Sequence, residues 1–409
     1  MSAAQVAERV ARESYGRLLA LLSARTRDVA AAEDALSEAF AAALSAWPRG
    51  GVPDNPEAWL FAAAKRKLID MARRAKTASE GEAQIAINVE EVEADMAAYE
   101  FPDRRLALMF ACTHPAIDEA AHTPLMLQSV LGFSAERIAA AFLVEAPAMS
   151  QRLVRAKKKI KEAQAPFDIP PPEAWGARLG AVLDAIYAAY SAGWSDPLGA
   201  DTSRLGLAEE AIWLGRVLVA HAEDDPEARG LLALMLHLEA RRPARRGPDG
   251  AYIPLEAQNV ALWRDNLQIE AEALLLSASR MRRPGRFQLE AAIQSAHAAR
   301  KRHGETDWGA IVILYNALAS LTGSPVAHLN HAAAVAQLCG AEAGLRALEE
   351  VRASFPDLVS YQPYWALLAD LNAKLARGEA ARAAFDEAIA RERDPAVIKF
   401  LEERRANLA

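Results

Sequence analysis

Residues 55–74 read NPEAWLFAAAKRKLIDMARR, and this stretch decides the fold class of the chain. Asn55 followed by Pro56 gives an N-cap side chain and a proline at the first helical position, so we expect a helix to begin here. Its apolar residues recur three and four positions apart, which predicts one face packed against a core. The residues of that face are Trp59, Leu60, Ala63, Leu68 and Met71. The exposed face is predicted to carry Arg66, Asp70 and Arg73.

A second amphipathic helix is predicted just before this one. The residues that repeat at helical spacing and predict its packed face are Leu36, Phe40, Leu44 and Trp47. Asp34 and Glu38 occupy the other side, which makes the outer face acidic. We expect the helix to end at Pro48, before two nearby glycines.

The rest of the chain favours helix as well. Alanine is abundant, β-branched runs are few, and no stretch alternates apolar and polar residues over several positions. Hydrophobic residues make up 52% and charged residues 25% of the 409 residues, so we expect several folded domains with substantial cores. The predicted fold class is all-α.

The net charge of −7 argues against nucleic acid as a partner, but the charge is unevenly distributed. Residues 56–76 contain six basic residues against two acidic ones, and residues 147–163 contain six against one. Between them, residues 77–101 hold seven acidic residues and no basic one, which predicts an acidic linker. These are Glu80, Glu82, Glu90, Glu91, Glu93, Asp95 and Glu100. A solvated helix face explains either basic segment alone, whereas two of them joined by an acidic linker favour nucleic-acid binding.

The second basic segment follows a short helix at helix-turn-helix spacing. Ser134 can cap a helix that ends at Phe142, and Pro147 can open a second helix after a turn. On the second helix the residues predicted to face inward are Met149, Leu153, Ala156 and Ile160. The outward positions suited to reading base edges in a major groove are Ser150, Gln151, Arg155 and Lys159. Phosphate contacts are predicted for Arg152, Lys157 and Lys158.

Several strings in the sequence resemble a known protein family. AEDALSEAF at residues 32–40 and PEAWLFAAAKRKLIDMARR at residues 56–74 resemble region two of bacterial sigma factors, most of all in W-L and D-x-x-R-R. MSQRLVRAKKKI at residues 149–160 resembles the recognition helix of sigma region four, although Glu145-Ala146 replaces the usual glycine-containing turn. The chain is thus similar to the extracytoplasmic-function sigma factors, which direct RNA polymerase to promoters.

The resemblance implies partners and roles for individual residues. Asp34 and Glu38 would dock on the clamp helices of the largest subunit of core RNA polymerase, and the flap region would provide a further contact. The loop at Asn55 would accept a base flipped from the non-template strand of promoter DNA. The residues that would hold phosphates beside it are Lys65, Arg66, Arg73 and Arg74. Asp70 fits either this DNA-facing surface or a structural ion pair.

A metal site and a membrane segment are both disfavoured. Cys112, His114 and His122 lie close in sequence, but they fall short of a closed structural zinc site, so we expect no metal or cofactor. Cys112 is expected to pack in a helix that ends at His114, and Cys339 is also predicted to be buried, without a disulfide. No apolar run approaches the ~20 residues of a membrane span, which predicts a cytoplasmic protein without membrane contact.

Prolines at 166 and 170–172 mark the start of an extension. The predicted domains are residues 1–76, the acidic linker 77–101, residues 102–165 and the extension 166–409. Within the extension, five residues have the order and spacing of a tetratricopeptide repeat, and residues 325–354 look like a degenerate second copy. The five are Trp365, Leu368, Ala381, Phe385 and Ala388. The four arginines of residues 241–246 predict a solvated loop, with an anion contact as the alternative.

The resemblance extends to a particular group of sigma factors. ACTHPAI at 111–117, RRPARRGPDG at 241–250 and ETDW at 305–308 are similar to members that carry a tetratricopeptide-like C-terminal extension. In that group the extension governs activity, which implies regulation in cis or through a protein regulator. Our hypothesis is a sigma factor without a catalytic site. Two alternatives are a stand-alone helix-turn-helix regulator with a sensing extension, and an enzyme housed in the helical array, for which the sequence nominates no polar pocket.

Overall fold

The computed structural model describes residues 2–78, 104–142, 144–167, 175–194 and 206–408. It divides into two compact units, Met1–Val217 and Leu218–Ala409. In these described ranges the regular structure is helical and includes no strand, so the predicted all-α fold class is confirmed. One isolated bridge pairs Arg246 with Tyr252. None of the described helices is long and apolar enough to cross a bilayer.

The first unit begins with a three-helix bundle. Its helices are α1 (Ala3–Thr26), α2 (Val29–Gly50) and α3 (Pro56–Ala78). The predicted start of α3 is confirmed, because the Oδ1 atom of Asn55 accepts a hydrogen bond of 3.0 Å from the backbone N–H of Ala58. Asp28 caps α2 in the same way and accepts from Ala31 at 3.1 Å. All three helices pack against one another.

The predicted apolar faces of α2 and α3 meet in this bundle, with one exception. Leu36 of α2 and Leu60 of α3 are buried, and Trp47 packs edge to face on Trp59 with 5.5 Å between ring centroids. The prediction for Leu44 is wrong, since its side chain is 52% exposed. The buried stripe runs instead through residues whose small side chains let the helices approach closely. These are Ala32, Ala35, Ala39 and Ala43.

Four shorter helices follow residue 104. They are α4 (Arg105–Cys112), α5 (Glu119–Ser129), α6 (Ala135–Phe142) and α7 (Ala146–Glu162). Ser134 caps α6, with its Oγ atom accepting from Arg137 N–H at 3.3 Å, as predicted. The predicted inward face of α7 is confirmed, because all four of its residues are buried. These are Met149, Leu153, Ala156 and Ile160.

The first unit also includes two segments of the extension, helix α8 (Gly176–Trp194) and residues 207–217 of helix α9 (Leu207–His221). Helix α8 packs against α4, α5 and α6. The guanidinium of Arg178 donates a hydrogen bond of 2.8 Å to the carbonyl oxygen of Phe110, and Trp175 lies with its ring centroid 5.7 Å from that of Phe110. The compact unit therefore ends at Val217, beyond the boundary predicted near residue 166, because α8 supplies apolar surface to α4–α6.

The second unit is an array in which most helices pack against the next one in the chain. Its members are α10 (Pro226–Ala240), α11 (Asp265–Arg280), α12 (Arg286–Ala298), α13 (Arg300–His303), α14 (Trp308–Thr322), α15 (Pro325–Cys339), α16 (Ala341–Ser354), α17 (Gln362–Lys374), α18 (Gly378–Arg391) and α19 (Pro395–Ala406). Ala381, Phe385 and Ala388 of the predicted repeat are buried between α17, α18 and α19. Cys339 is exposed, contrary to prediction, because it is the last residue of α15 before Gly340.

The arginine-rich loop after α10 is part of the architecture and not a solvated loop. Arg242 and Arg264 each lie 3.3 Å from the buried carboxylate of Glu239. Arg246 forms an ion pair with Asp394, the N-cap of α19. The buried carboxylate of Glu239 and the largely buried pair of Arg246 with Asp394 hold the loop in place, since leaving a buried charge without its partner is costly.

We expect Leu371→Ala to lower the free energy of unfolding by about 2–5 kcal/mol, because the side chain is fully buried between helices of the array. Leu321→Ala is the matched control, since Leu321 is exposed and its loss should change stability by less than about 0.5 kcal/mol. Urea unfolding followed by circular dichroism measures both. Equal effects of the two substitutions would contradict the packing described for α17.

Candidate nucleic-acid interface

The outer face of α2 presents the acidic residues that the sequence singles out. Asp34 and Glu38 are both exposed, and the carboxylate of Glu38 forms an ion pair with Lys67 of α3. Leu44 lies further along the exposed part of α2 and adds an apolar side chain there. Sequence reasoning missed Leu44 as a surface residue because its spacing also fits the buried stripe. Acidic groups around an exposed leucine are suited to a basic protein surface with an apolar patch.

The start of α3 is fixed by contacts to α1. Glu57 in the first turn of α3 accepts hydrogen bonds from the hydroxyl of Ser14 and the guanidinium of Arg17. Arg25 of α1 lies over the ring of Phe61, 5.2 Å from its centroid. These contacts hold the loop that carries Asn55 and leave the Asn55 side chain exposed.

The basic residues predicted along α3 are only partly described. Arg66 and Asp70 are exposed, as the predicted outer face requires, and Lys65 is half-buried. Arg73 and Arg74 lie in the last turns of α3, but their side chains are outside the described part of the structure. The acidic residues of the predicted linker 77–101 also lie outside the described residues.

Helix α7 presents an open basic face. Its exposed members are Gln151, Val154, Arg155, Lys158 and Lys159. Val154 is 65% exposed and sits between polar and basic neighbours, where packing gives no reason for an aliphatic side chain. Sequence reasoning left Val154 out, although its place three residues after Gln151 puts both on one side of the helix. Lys158 and Lys159 lie 3.6 and 3.7 Å from Glu162, in surface pairs that cost little to break.

Three cations on α7 line a shared cavity of about 480 Å³. They are Arg152, Arg155 and Lys159. The cavity also contains Asp118, which caps α5 by accepting from Ala120 N–H at 2.8 Å. Arg155 and Lys159, predicted to read bases, thus share a cavity with Arg152, predicted to bind phosphate. Several guanidinium and ammonium groups in one concave site favour an anion such as a backbone phosphate.

Lys157 does not lie on the open face, contrary to prediction. Its side chain is 11% exposed and forms an ion pair with Glu33 of α2, which is 12% exposed. Lys161 pairs with Asp28 at 2.8 Å. Lys157 directly follows the buried Ala156, so it lies on the flank of α7 that turns toward α2. In this structure its ammonium group is therefore engaged by protein rather than available to phosphate.

Glu33 sits in a site built from several helices. The hydroxyl of Ser129 in α5 lies 3.3 Å from its carboxylate. Burial raises the pKa of Glu33, and the charge of Lys157 lowers it in part. Burial also raises the pKa of the Cys112 thiol, with Glu33 contributing in the same direction. The carboxylate of Glu33 is therefore close enough to α4, α5 and α7 to act electrostatically on all three.

The residues considered for a metal site have other contacts. Cys112 is buried at the end of α4, as predicted, and His114 Nδ1 accepts from Ala116 N–H at 3.2 Å. His122 Nε2 lies 3.2 Å from the carbonyl oxygen of Ile117. Across the described ranges, no group of three or more His, Cys, Asp or Glu side chains is arranged to hold a metal ion.

Comparison with known families identifies the first bundle. Residues 10–77 match the family model Sigma-70 region 2, which covers α1 to α3. Residues 178–279 match a family of unknown function, DUF6596. The first match supports sigma-type binding to RNA polymerase and promoter DNA by the N-terminal bundle.

A relative resembles almost the whole chain. An uncharacterized protein of Rhizobium meliloti (strain 1021) is 38% identical over 388 residues, which cover 91% of each chain. No solved structure matches the chain. Because the likeness spans nearly all of both proteins, the chain belongs to the same family as the Rhizobium meliloti protein, with a sigma-70 region 2 domain at its N-terminus.

Proposed function

We propose that the chain is an extracytoplasmic-function-type sigma factor whose C-terminal helical extension controls its activity. The observation that carries this proposal is the sigma-70 region 2 match over α1–α3, where α2 exposes Asp34 and Glu38. The protein acts in the cytoplasm by binding core RNA polymerase and promoter DNA, and it has no catalytic step of its own. In region two, the Asn55 loop and α3 would bind the promoter element nearer the start site.

The second promoter element would be read by the helix-turn-helix of α6 and α7. The buried stripe of α7 turns Gln151 and Val154 outward, and basic residues flank them. Gln can pair with adenine through two hydrogen bonds, while an aliphatic side chain contacts the methyl group of thymine. The cavity with Arg152, Arg155 and Lys159 suits a backbone phosphate that fixes the register of the helix.

Control by the extension is supported by contacts within the first unit. Helix α8 begins the extension and packs on the helices that carry the helix-turn-helix. Arg178 binds the Phe110 carbonyl, and Arg105 lies 3.7 Å from the ring centroid of Trp213 in α9. The helix pairs of the second unit are compatible with a tetratricopeptide-like surface for a protein regulator. A change in the extension would therefore act on the DNA-binding module directly.

The combined change Asp34→Lys and Glu38→Lys should weaken binding to core polymerase by about tenfold or more, because like charges then face a basic surface. Fluorescence anisotropy of the labelled full chain with purified core polymerase measures the affinity. Glu379→Lys, at an exposed position of α18, is the control and should leave binding unchanged. Binding that survives the double change would favour the stand-alone regulator.

Replacement of thymine by uracil removes only the methyl group that Val154 would contact. We expect this replacement, made at one thymine position of the recognised element, to weaken DNA binding by the wild-type holoenzyme. The loss in binding free energy should be about 0.8 kcal/mol, or about fourfold in affinity. Val154→Ala should make binding insensitive to that replacement, as measured by titration of labelled promoter DNA. If no thymine position distinguishes the two proteins, Val154 does not read a base.

Arg178→Ala removes the hydrogen bond from α8 to Phe110. If the extension controls the DNA-binding module through this contact, run-off transcription should change by about two- to thirtyfold, which corresponds to a coupling of about 0.5–2 kcal/mol. The affinity for core polymerase should stay the same. Arg346→Ala on the exposed side of α16 serves as the control. Unchanged transcription by Arg178→Ala would rule out control through α8.

A further inference from the structure

A groove between two helices of the second unit takes no part in the proposed function. It lies between α11 and α12, which residues 281–285 connect, and it has a volume of about 460 Å³. Pockets that bind small molecules have volumes of about 300–1,000 Å³, with mostly apolar walls and a few placed polar groups. The groove is therefore large enough for a small ligand, and its walls indicate which kind.

The side walls of the groove are aliphatic. Leu275 and Leu276 of α11 line one side, and Leu289 and Ala292 of α12 line the other. Leu276 is 55% exposed, and the other three are only half-buried. This apolar surface is in contact with water, so covering it with the apolar body of a ligand is favourable.

Two arginines lie at the end of the groove where the chain turns from α11 to α12. Arg282 and Arg283 both line the groove, and both are exposed. Arg283 donates a hydrogen bond to the backbone carbonyl oxygen of Asp224, which restricts its guanidinium. Neither arginine forms an ion pair with any residue of the described ranges. Their positive charges are thus available to a carboxylate, which a guanidinium can bind through two parallel hydrogen bonds.

The backbone of Arg282 is unusual for a residue with a side chain. Its φ of +55° lies in the left-handed region, two residues after the end of α11. Helices commonly end with glycine or asparagine in this conformation, because other side chains crowd the backbone there. The geometry of the turn therefore gives no reason for an arginine. An arginine at this position does place a positive charge at the groove.

The first turn of α12 is not the anion site, although helix N-termini attract anions. The carboxylate of Glu227 accepts hydrogen bonds from the backbone N–H groups of Phe287 at 2.9 Å and Gln288 at 3.1 Å. It also accepts from the side-chain amide of Gln288, which lines the groove. These donors are already used by the protein, so an anion in the groove must be bound by the two arginines.

The other end of the groove, two turns earlier on α11, carries a negative charge. Glu272 lines it, and its carboxylate accepts a hydrogen bond of 2.6 Å from the hydroxyl of Ser295. The imidazole of His237 lies 3.7 Å from the same carboxylate. Burial lowers the pKa of His237 to about 4, so the ring is neutral at neutral pH and does not offset the charge of Glu272. A ligand with a second anionic group would be repelled at this end.

We propose that the groove binds a small amphipathic monocarboxylate, such as a medium-chain fatty acid. The carboxylate pairs with Arg282 and Arg283, and the hydrocarbon chain lies between the leucines of α11 and Leu289. The uncharged tail points toward Glu272. The site does not depend on the proposed function, because none of its residues belongs to the sigma-70 region 2 match or to the helix-turn-helix.

Isothermal titration calorimetry of the full chain with octanoate tests the site. Octanoate should bind saturably, at a single site per chain. Octanol has the same chain without the charge, and octanedioate adds a second carboxylate that would meet Glu272. Each should bind at least about tenfold more weakly, because octanol lacks charge-assisted hydrogen bonds to the arginines and octanedioate brings like charges together.

Two variants separate the charged end from the apolar walls. Arg282→Asn removes the guanidinium and keeps a residue type that tolerates the left-handed conformation, so the affinity for octanoate should fall about tenfold while octanol binding stays the same. Ala292→Phe fills the groove and should weaken the binding of both compounds. Arg280→Asn is the matched control, since Arg280 is an exposed arginine in the last turn of α11 and does not line the groove. Circular dichroism checks that each variant keeps its helices.

Absence of saturable octanoate binding by the wild type would overturn the proposal. Equal affinity for octanoate and either of the other two compounds would do the same, and so would a folded Arg282→Asn variant that binds octanoate as tightly as Arg280→Asn. The comparison of the three compounds uses only the wild-type chain, so it decides the question if Arg282→Asn does not fold. A chain that binds octanoate but not core polymerase would contradict the proposed function and leave the site intact.

Discussion

A single carboxylate, that of Glu33, connects the two helical modules of the first unit. It leaves α2, enters a site formed by α5 and α7, and meets Lys157 there with almost no exposure to solvent. A buried charge of this kind fixes the relative position of its neighbours, because losing the partner leaves it unpaired in a medium that solvates it poorly. The ion pair of Glu33 with Lys157 sets how α7 packs against α2. That packing decides which basic residues of α7 remain exposed to solvent.

Other helix contacts complete the first unit. The small residues of α2 allow α3 to approach closely, which holds the Asn55 loop at one end of the bundle. Helix α8 covers the other side of the helix-turn-helix module and brings the extension into the same compact unit. In a protein that is acidic overall, α3 and α7 each carry a cluster of basic residues, and helix packing decides which of these are exposed.

The period of apolar residues predicted much of this structure. It predicted the helical fold and all four buried residues of α7, because burial of one helix face follows directly from spacing. The capped start of α3 was predicted instead from Asn55 followed by Pro56. The prediction from spacing was wrong at Leu44. Two neighbouring rows of apolar residues on α2 both have helical spacing, and the row that contains the alanines is the one packed in the core. The prediction for Lys157 was also wrong, since nothing local in a sequence shows that a flank of one module meets another. Arg246 shows the same limit, because its partner Asp394 lies far away in the chain.

The claim that this chain directs polymerase to promoters is tested most directly by transcription in a purified system. Core RNA polymerase is combined with the full chain on a pool of random DNA sequences, and the transcripts are sequenced. Our account predicts transcripts that start at fixed positions downstream of two shared sequence elements, and only when the chain is present. Absence of any such transcripts, together with a failure of the chain to associate with the core enzyme, would contradict it.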